Sequence, residues 1–289
     1  MNRLFLLLFL AMAFSVSYAQ SLDDLVSEDK NSEPEVVLAD FKTTSVVNFH
    51  TVRGPAQKEL LFSVKHRFIN VSSGLYDLFG LDAVQSARIG FEYGFLDNLS
   101  VGIGRSTREK SLDGFLKYRF ISQKNGKGGS PVSMAFIAGT DIKTNRWKEE
   151  EIDYPSGSGI SYFYQIIFAR KFSERISLQI LPTLVHQNLV KLKDDPNDTY
   201  AAGISGRYKI SARATFNAEY FYVMNPPESV DFKNPLSLGF SFDTGGHIFQ
   251  INFSNAPAMT ERHALTQTAG SWMDGDFALG FSIYRTFSF

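Results

Sequence analysis

The residues with the most chemical potential are cations set two apart: Lys65 with Arg67, Lys117 with Arg119, and Arg207 with Lys209, joined by Arg88. Glu92 and Glu219 occupy comparable alternating positions. Cations on one face of successive strands would line a cavity and favour anions, because a narrow low-dielectric passage focuses the field of its lining. The alternative is a barrel filled by its own side chains, in which these groups pair with one another and with Glu149, Glu150 and Glu151. His50, His66, His186, His247 and His263 are scattered and show no metal-ligand spacing. Asp194-Asp195-Pro196-Asn197-Asp198 offers hard oxygens but lacks the spacing and glycine of a calcium loop, so it reads as a turn. Gly102-Ile103-Gly104 lies within a strand with no helix after it and is no nucleotide loop. No metal or cofactor is expected.

His66, Arg105 and His186 share the parity of the apolar face rather than that of the cations. A Ser–His hydrolase on the outside of a wall needs a hydroxyl within reach of the imidazole and a third orienting group. No serine of that parity lies beside His66 with an obvious Asn or Asp, so a lipid-modifying enzyme ranks third among the readings. Contact with lipid headgroups is the expectation for His66 and Arg105.

Those assignments depend on strands. Leu60, Phe62, Val64 and Phe68 alternate with Ser63, Lys65 and Arg67; Phe216, Ala218, Tyr220 and Tyr222 alternate with Asn217 and Glu219. This period of two marks a sheet with one apolar and one polar face. It places strands near 60–69, 84–94, 99–106, 112–122, 131–140, 159–170, 176–187, 199–209, 214–224, 236–243, 247–254 and 276–289. Many have about ten residues, the length of a tilted strand crossing a bilayer core.

Three features turn the apolar face outward. Long connections (70–83, 141–158, 188–198, 225–235, 255–275) alternate with short ones (95–98, 171–175, 210–213, 244–246), as in barrels with long extracellular loops and short periplasmic turns. The joints 107–111 and 123–130 depart from that rhythm. Outward aromatics fall in two bands: Tyr93, Tyr118, Phe120, Tyr208, Phe240 and Phe242 at the turn end, and Phe68, Tyr162, Tyr164, Tyr220 and Tyr222 at the loop end. The last strand carries Phe277, Leu279, Phe281, Ile283, Phe287 and Phe289 on one face. Phe287 and the terminal Phe289 resemble the assembly signal read by the barrel-assembly machinery. Arg285 shares that apolar face, and its place near the turn end eases its cost.

The fold expected is therefore all-β, an antiparallel transmembrane β-barrel of about twelve strands over residues 43–289. Thr43 to Phe49 is also strand-like; as a thirteenth wall strand it would invert the loops, so segment 43–50 is expected at the periplasmic rim or in the lumen. Arg3, the apolar run Leu4–Val16 and Ser17-Tyr18-Ala19 read as a signal peptide over 1–19, cleaved after Ala19. Residues 20–42, rich in Asp and Glu, read as a solvated periplasmic tail. The chain has no Cys, which removes disulfides, thiolate sites and a lipidated cysteine. A net charge of −1 gives no general attraction to nucleic acid.

Phe41-Lys42-Thr43-Thr44, His66-Arg67-Phe68, Phe79-Gly80-Leu81-Asp82, Gly102-Ile103-Gly104-Arg105-Ser106, Lys117-Tyr118 and His247-Ile248-Phe249-Gln250 resemble a membrane-bound β-barrel family of unknown function from Bacteroidetes-type bacteria. The resemblance spans Phe41 to Phe289. It implies a fold and an outer-membrane location in a Gram-negative cell, and no activity. The function expected is a passive pore or small-solute transporter, with lipid, the assembly machinery and small anions as partners. A structural or ligand-binding barrel without transport is second.

Overall fold

The computed structural model describes residues 36–37, 41–126, 128–145 and 155–289. The segment read as a signal peptide (1–19), nearly all of the acidic segment 20–42 and Glu149–Glu151 lie outside the described residues.

Alternate residues of each strand face two different environments, and burial records it. In one strand Ser161, Phe163, Gln165, Ile167 and Ala169 are buried, while Tyr162, Tyr164, Ile166, Phe168 and Arg170 are exposed. The strands are β1 (Glu59–Asn70), β2 (Val84–Leu96), β3 (Leu99–Ser106) and β4 (Leu112–Ile121). Next come β5 (Ser133–Ile142), β6 (Ile160–Lys171), β7 (Ile176–Gln187) and β8 (Asp198–Lys209). β9 (Ala214–Val223), β10 (Leu236–Asp243), β11 (Ile248–Ser254) and β12 (Ala278–Ser288) complete the set. Each pairs antiparallel with its neighbour, and β1 pairs with β12 from Glu59↔Ser288 onward. The sheet is a closed twelve-stranded barrel with no free edge, the arrangement in which wall backbone groups pair with one another rather than with water.

Two pieces of chain that are not wall occupy the lumen. From the turn end comes a hairpin over residues 44–51, bridged at Ser45↔His50 and closed by Val46 N–H to Phe49 C=O (2.9 Å) and Thr51 N–H to Thr44 C=O (2.9 Å). The strand-like segment at 43–50 thus folds on itself inside the barrel and adds nothing to the wall. From the loop end the β11–β12 connection folds inward and forms one short helix, α1 (Glu261–Thr266), with every residue buried.

The interior is divided. On β5–β9 the inward residues include Ile137, Phe163, Ile167, Leu181, Val185 and Phe221, which form one apolar core with Phe41, Val46, Val47, Phe49 and Val52 of the N-terminal segment. On β1–β4 and β10–β12 the inward residues are mainly polar: Ser63, Lys65, Arg67, Arg88, Glu92, Lys117, Ser237, Gln250, Asn252. Phe49 stacks on Phe221 with centroids 3.7 Å apart. The hairpin thus sets its apolar side chains mainly against β5–β9, while its backbone meets polar side chains from both halves of the wall.

Candidate functional site

The site is the lumen where hairpin, α1 and wall meet. Glu219 on β9 is buried, and its carboxylate accepts hydrogen bonds from the backbone N–H groups of Val47 (3.1 Å), Asn48 (2.9 Å) and Phe49 (3.3 Å) at the hairpin tip. Three amides converging on one carboxylate form an anion nest whose anion is a side chain. The cations take the carbonyls. Lys65 donates to Val47 C=O (3.4 Å) and Ser45 Oγ (2.9 Å), and Lys117 donates to the carbonyls of Arg53 (3.0 Å) and Thr44 (3.4 Å). Gln250 and Gln179 donate to the carbonyls of Val46 (2.7 Å) and His50 (2.8 Å). A hairpin placed in a lumen exposes backbone groups with no sheet partner; here wall side chains satisfy them.

Charges are compensated locally. Arg88 forms a forked pair with Asp113, its Nε 2.8 Å from Oδ1, and Lys117 Nζ lies 3.1 Å from Glu92. Arg67 donates to Asn48 Oδ1 (2.9 Å), Asn252 Oδ1 (3.2 Å) and Ala256 C=O (2.7 Å), tying the hairpin to the inward-folded loop. Gly102 and Gly104 of β3 face the same space; a Cβ there would collide with the Phe115 ring and the Arg88 guanidinium respectively. These glycines make room for the side chains that line the lumen.

At the loop end Arg262 of α1 reaches Asp141 (2.8 Å) and Glu109 (2.6 Å), and His263 meets Glu109 at 3.2 Å. Burial pushes the Glu109 carboxyl up, but the His263 hydrogen bond and the Arg262 charge outweigh it and hold it well below the usual range. Burial, reinforced by Arg262, lowers His263. The two inserted pieces meet where His50 Nε2 lies 3.4 Å from Glu261 Oε1. Burial raises Glu261 to about 7, with the Asp113 charge in the same direction. Between them is a cavity of about 40 Å³ lined by His50, Lys65, Arg88, Glu92, Asp113 and Glu261. Outside this septum lie two open vestibules. One of about 800 Å³ is on the loop side, with Arg108, Glu109, Lys143, Lys191 and Arg262 in its lining; one of about 300 Å³ is on the turn side, with Lys42, Arg53, Glu59 and Asp243.

Of the residues singled out by parity, Lys65, Arg67, Arg88, Glu92, Lys117, Arg207 and Glu219 are buried within the barrel. Arg119 and Lys209 are half-buried near the turn end, Arg119 donating to Asp97 C=O (2.8 Å). His66 is half-buried with outward parity, stacked on Phe281 at 5.0 Å and edge-on to Phe68. Arg105 is exposed and donates to Thr144 Oγ1 (2.8 Å). Phe287 and Phe289 are exposed at the turn end, and Arg285 lies 4.8 Å over the Phe287 ring. His186 pairs with Asp198 (2.7 Å), and among the described residues no hydroxyl hydrogen-bonds its Nε2. The lumen is less basic than the parity count makes it, because Asp113, Asp141 and Glu261 were not in that count. Asp113 shares the parity of Lys117 on β4, and that spacing is the signal that reveals it.

No curated protein sequence matches this chain. Among solved structures, the KdgM porin in complex with disordered oligogalacturonate superposes with a TM-score of 0.47 at 9% identity, covering 79% of this chain and 99% of that one. An outer membrane channel from Pseudomonas putida F1 gives 0.45 at 11% identity, covering 82% and 98%. A family model described as a membrane bound beta barrel domain (DUF5777) matches residues 41–287, which takes in both the twelve-stranded wall and the hairpin it encloses. The chain belongs to this membrane-bound β-barrel family.

Proposed function

We propose that this chain is a passive channel for small solutes in the outer membrane of a Gram-negative bacterium, closed at rest by its own N-terminal hairpin. The observation that carries this reading is the pair of open vestibules facing each other across a septum built from chain that is not wall. Twelve strands enclose more space than their own side chains fill, and the remainder is taken by a hairpin whose backbone is held through hydrogen bonds to side chains. Such bonds exchange for water at modest net cost, so the apolar contacts of Phe41, Val46, Val47, Phe49 and Val52 are the main hold on the hairpin, which is not part of the wall ladder and can leave by the turn end.

In this reading the long loops face outward, a leader over 1–19 directs export, and the acidic segment 20–42 lies in the periplasm. Phe287 and Phe289 serve the assembly machinery. Lys65, Arg67, Arg119 and Lys209 outnumber Glu219 and Glu261 once Arg88–Asp113, Lys117–Glu92 and Arg262–Asp141 are paired off, which supports a mild preference for small anions.

Planar-bilayer recording tests the reading. The intact protein is expected to be mostly closed, and a variant lacking residues 41–54 to conduct continuously with weak anion selectivity. A deletion variant that folds as a barrel, by heat-modifiable migration, yet passes no current would overturn the channel. Clear cation selectivity would remove the anion preference alone.

A further inference from the structure

The β1–β2 connection carries a cluster of apolar side chains that none of the described residues covers. Tyr76 is 94% exposed, and Leu75, Leu78, Phe79 and Leu81 are exposed beside it. The connection is compact. Phe79 N–H bonds Gly74 C=O (2.7 Å), Asp82 N–H bonds Asp77 C=O (3.3 Å) and Ile69 N–H bonds Ala83 C=O (3.1 Å). Leu78 and Phe79 hold positive φ values of 51° and 55°, a backbone region that non-glycine residues adopt at a cost, and Gly80 follows at 91° against the Ile69 carbonyl. A segment that strains its backbone to present five apolar side chains outward is shaped for an apolar neighbour.

The position of the cluster indicates which neighbour. Val71 N–H bonds Phe277 C=O (2.8 Å) and Ser72 N–H bonds Gly275 C=O (3.1 Å), joining this connection to the one before β12, where Met273 is 95% exposed. There Trp272 stacks on Phe277 at 4.4 Å, and Phe277 meets Phe253 of β11, a lipid-facing position, at 6.2 Å. The patch is thus continuous with the lipid-facing side of the wall. At the loop end of β6, β8 and β9 the interfacial band is supplied by Tyr162, Tyr164, Tyr200, Tyr220 and Tyr222. At the same end of β12, β1, β2 and β3 the outward positions hold no Tyr or Trp. Tyr76 and Trp272 stand on the flank where the strands supply Phe68 and Phe281 but no aromatic with a polar tip.

We infer that the β1–β2 connection, with Met273, is an interfacial anchor that lies in the lipid on the loop side and completes the aromatic girdle on that flank of the barrel. Its internal hydrogen bonds leave fewer backbone donors to desolvate. Asp77, Asp82, Asp274 and Asp276, on the same connections, limit it to headgroup depth. The inference rests on the membrane-bound barrel and not on conductance.

The chain lacks cysteine, so a single introduced thiol is a unique label. Tyr76→Cys, Phe79→Cys and Met273→Cys, each carrying a nitroxide, are reconstituted in phosphatidylcholine vesicles and probed with oxygen, which partitions into lipid, and a water-soluble nickel chelate. Ile251→Cys on the lipid face and Lys191→Cys in a loop serve as references. The anchor predicts an oxygen-to-nickel accessibility ratio several-fold above Lys191→Cys at two or more of the three sites. Ratios equal to Lys191→Cys would overturn it in favour of an open or protein-binding surface. Spin–spin broadening that disappears on dilution with unlabelled protein would overturn it in favour of a second copy of this chain. Conductance is not read, so the two proposals fail separately.

Discussion

Glu219 is the residue on which the hairpin tip turns. Its two oxygens serve three amides, and a glutamine there has one acceptor oxygen and an NH₂ group facing donors. Hydrogen bonds to a charged group are worth about 1.5–3 kcal/mol, so Glu219→Gln is expected to shorten the closed state by about tenfold or more, since about 1.4 kcal/mol is a factor of ten. Single-channel dwell times measure this. Unchanged closed times would show that the apolar core and the remaining side-chain hydrogen bonds hold the hairpin without Glu219. The loop-side plug is governed by pH instead. Glu109 is depressed in the folded state, so its contribution is present above the ordinary carboxylate pKa of about 4.3 and is lost as pH falls below it. Lowered His263 acts in the same direction as acid is added. Glu261 is raised, so its contribution is complete below about 4.5 and fades as pH rises through about 7. Docking of α1 is therefore expected to be tightest in mildly acid solution and weaker on both sides. Hydrogen-exchange protection of residues 261–266, corrected for the intrinsic rise of exchange with pH, checks this, and protection that changes monotonically from pH 4 to 9 would contradict it.

At the scale of elements, a covalent tie between hairpin and wall separates hairpin movement from wall movement. A Cβ built at Gly239 of β10 lies 3.3 Å from Val47 Cγ2 at the hairpin tip, which suits a disulfide. Val47→Cys with Gly239→Cys is expected to silence the channel when oxidised and to restore opening on reduction; current that persists through the oxidised protein would place the gate elsewhere. The strands were legible because a period of two, with turns rich in Gly, Asn and Asp, survives even on β5–β9, where Ile137, Phe163 and Ile167 make the inward face apolar as well. The inward cations were legible for the same reason. The hairpin's location was not, because Thr43 to Phe49 alternates like a wall strand. Its partners bind backbone amides and carbonyls, which leave no imprint on residue type. Asp141 was missed because it follows the strand read at 131–140 and looks like the start of a loop, and Asp113 was left out of the inward count although it shares the parity of Lys117.

For the whole molecule, the wall and its contents answer to different solvents. The wall is a closed ring of strand pairs to which the hairpin contributes no strand. The contents are held by an apolar half, which resists water, and a polar half, which exchanges with it. This division lets one part move without melting the other.

The hairpin is joined to the start of β1 by the short strap Val52–Lys58, which extended spans at most roughly 25 Å. A released hairpin therefore cannot diffuse away from the turn-side mouth. Its local concentration there is on the order of millimolar, set by the strap and independent of how many copies the membrane holds. Reclosing is then a first-order event that resets itself after every opening, with no second molecule to recruit.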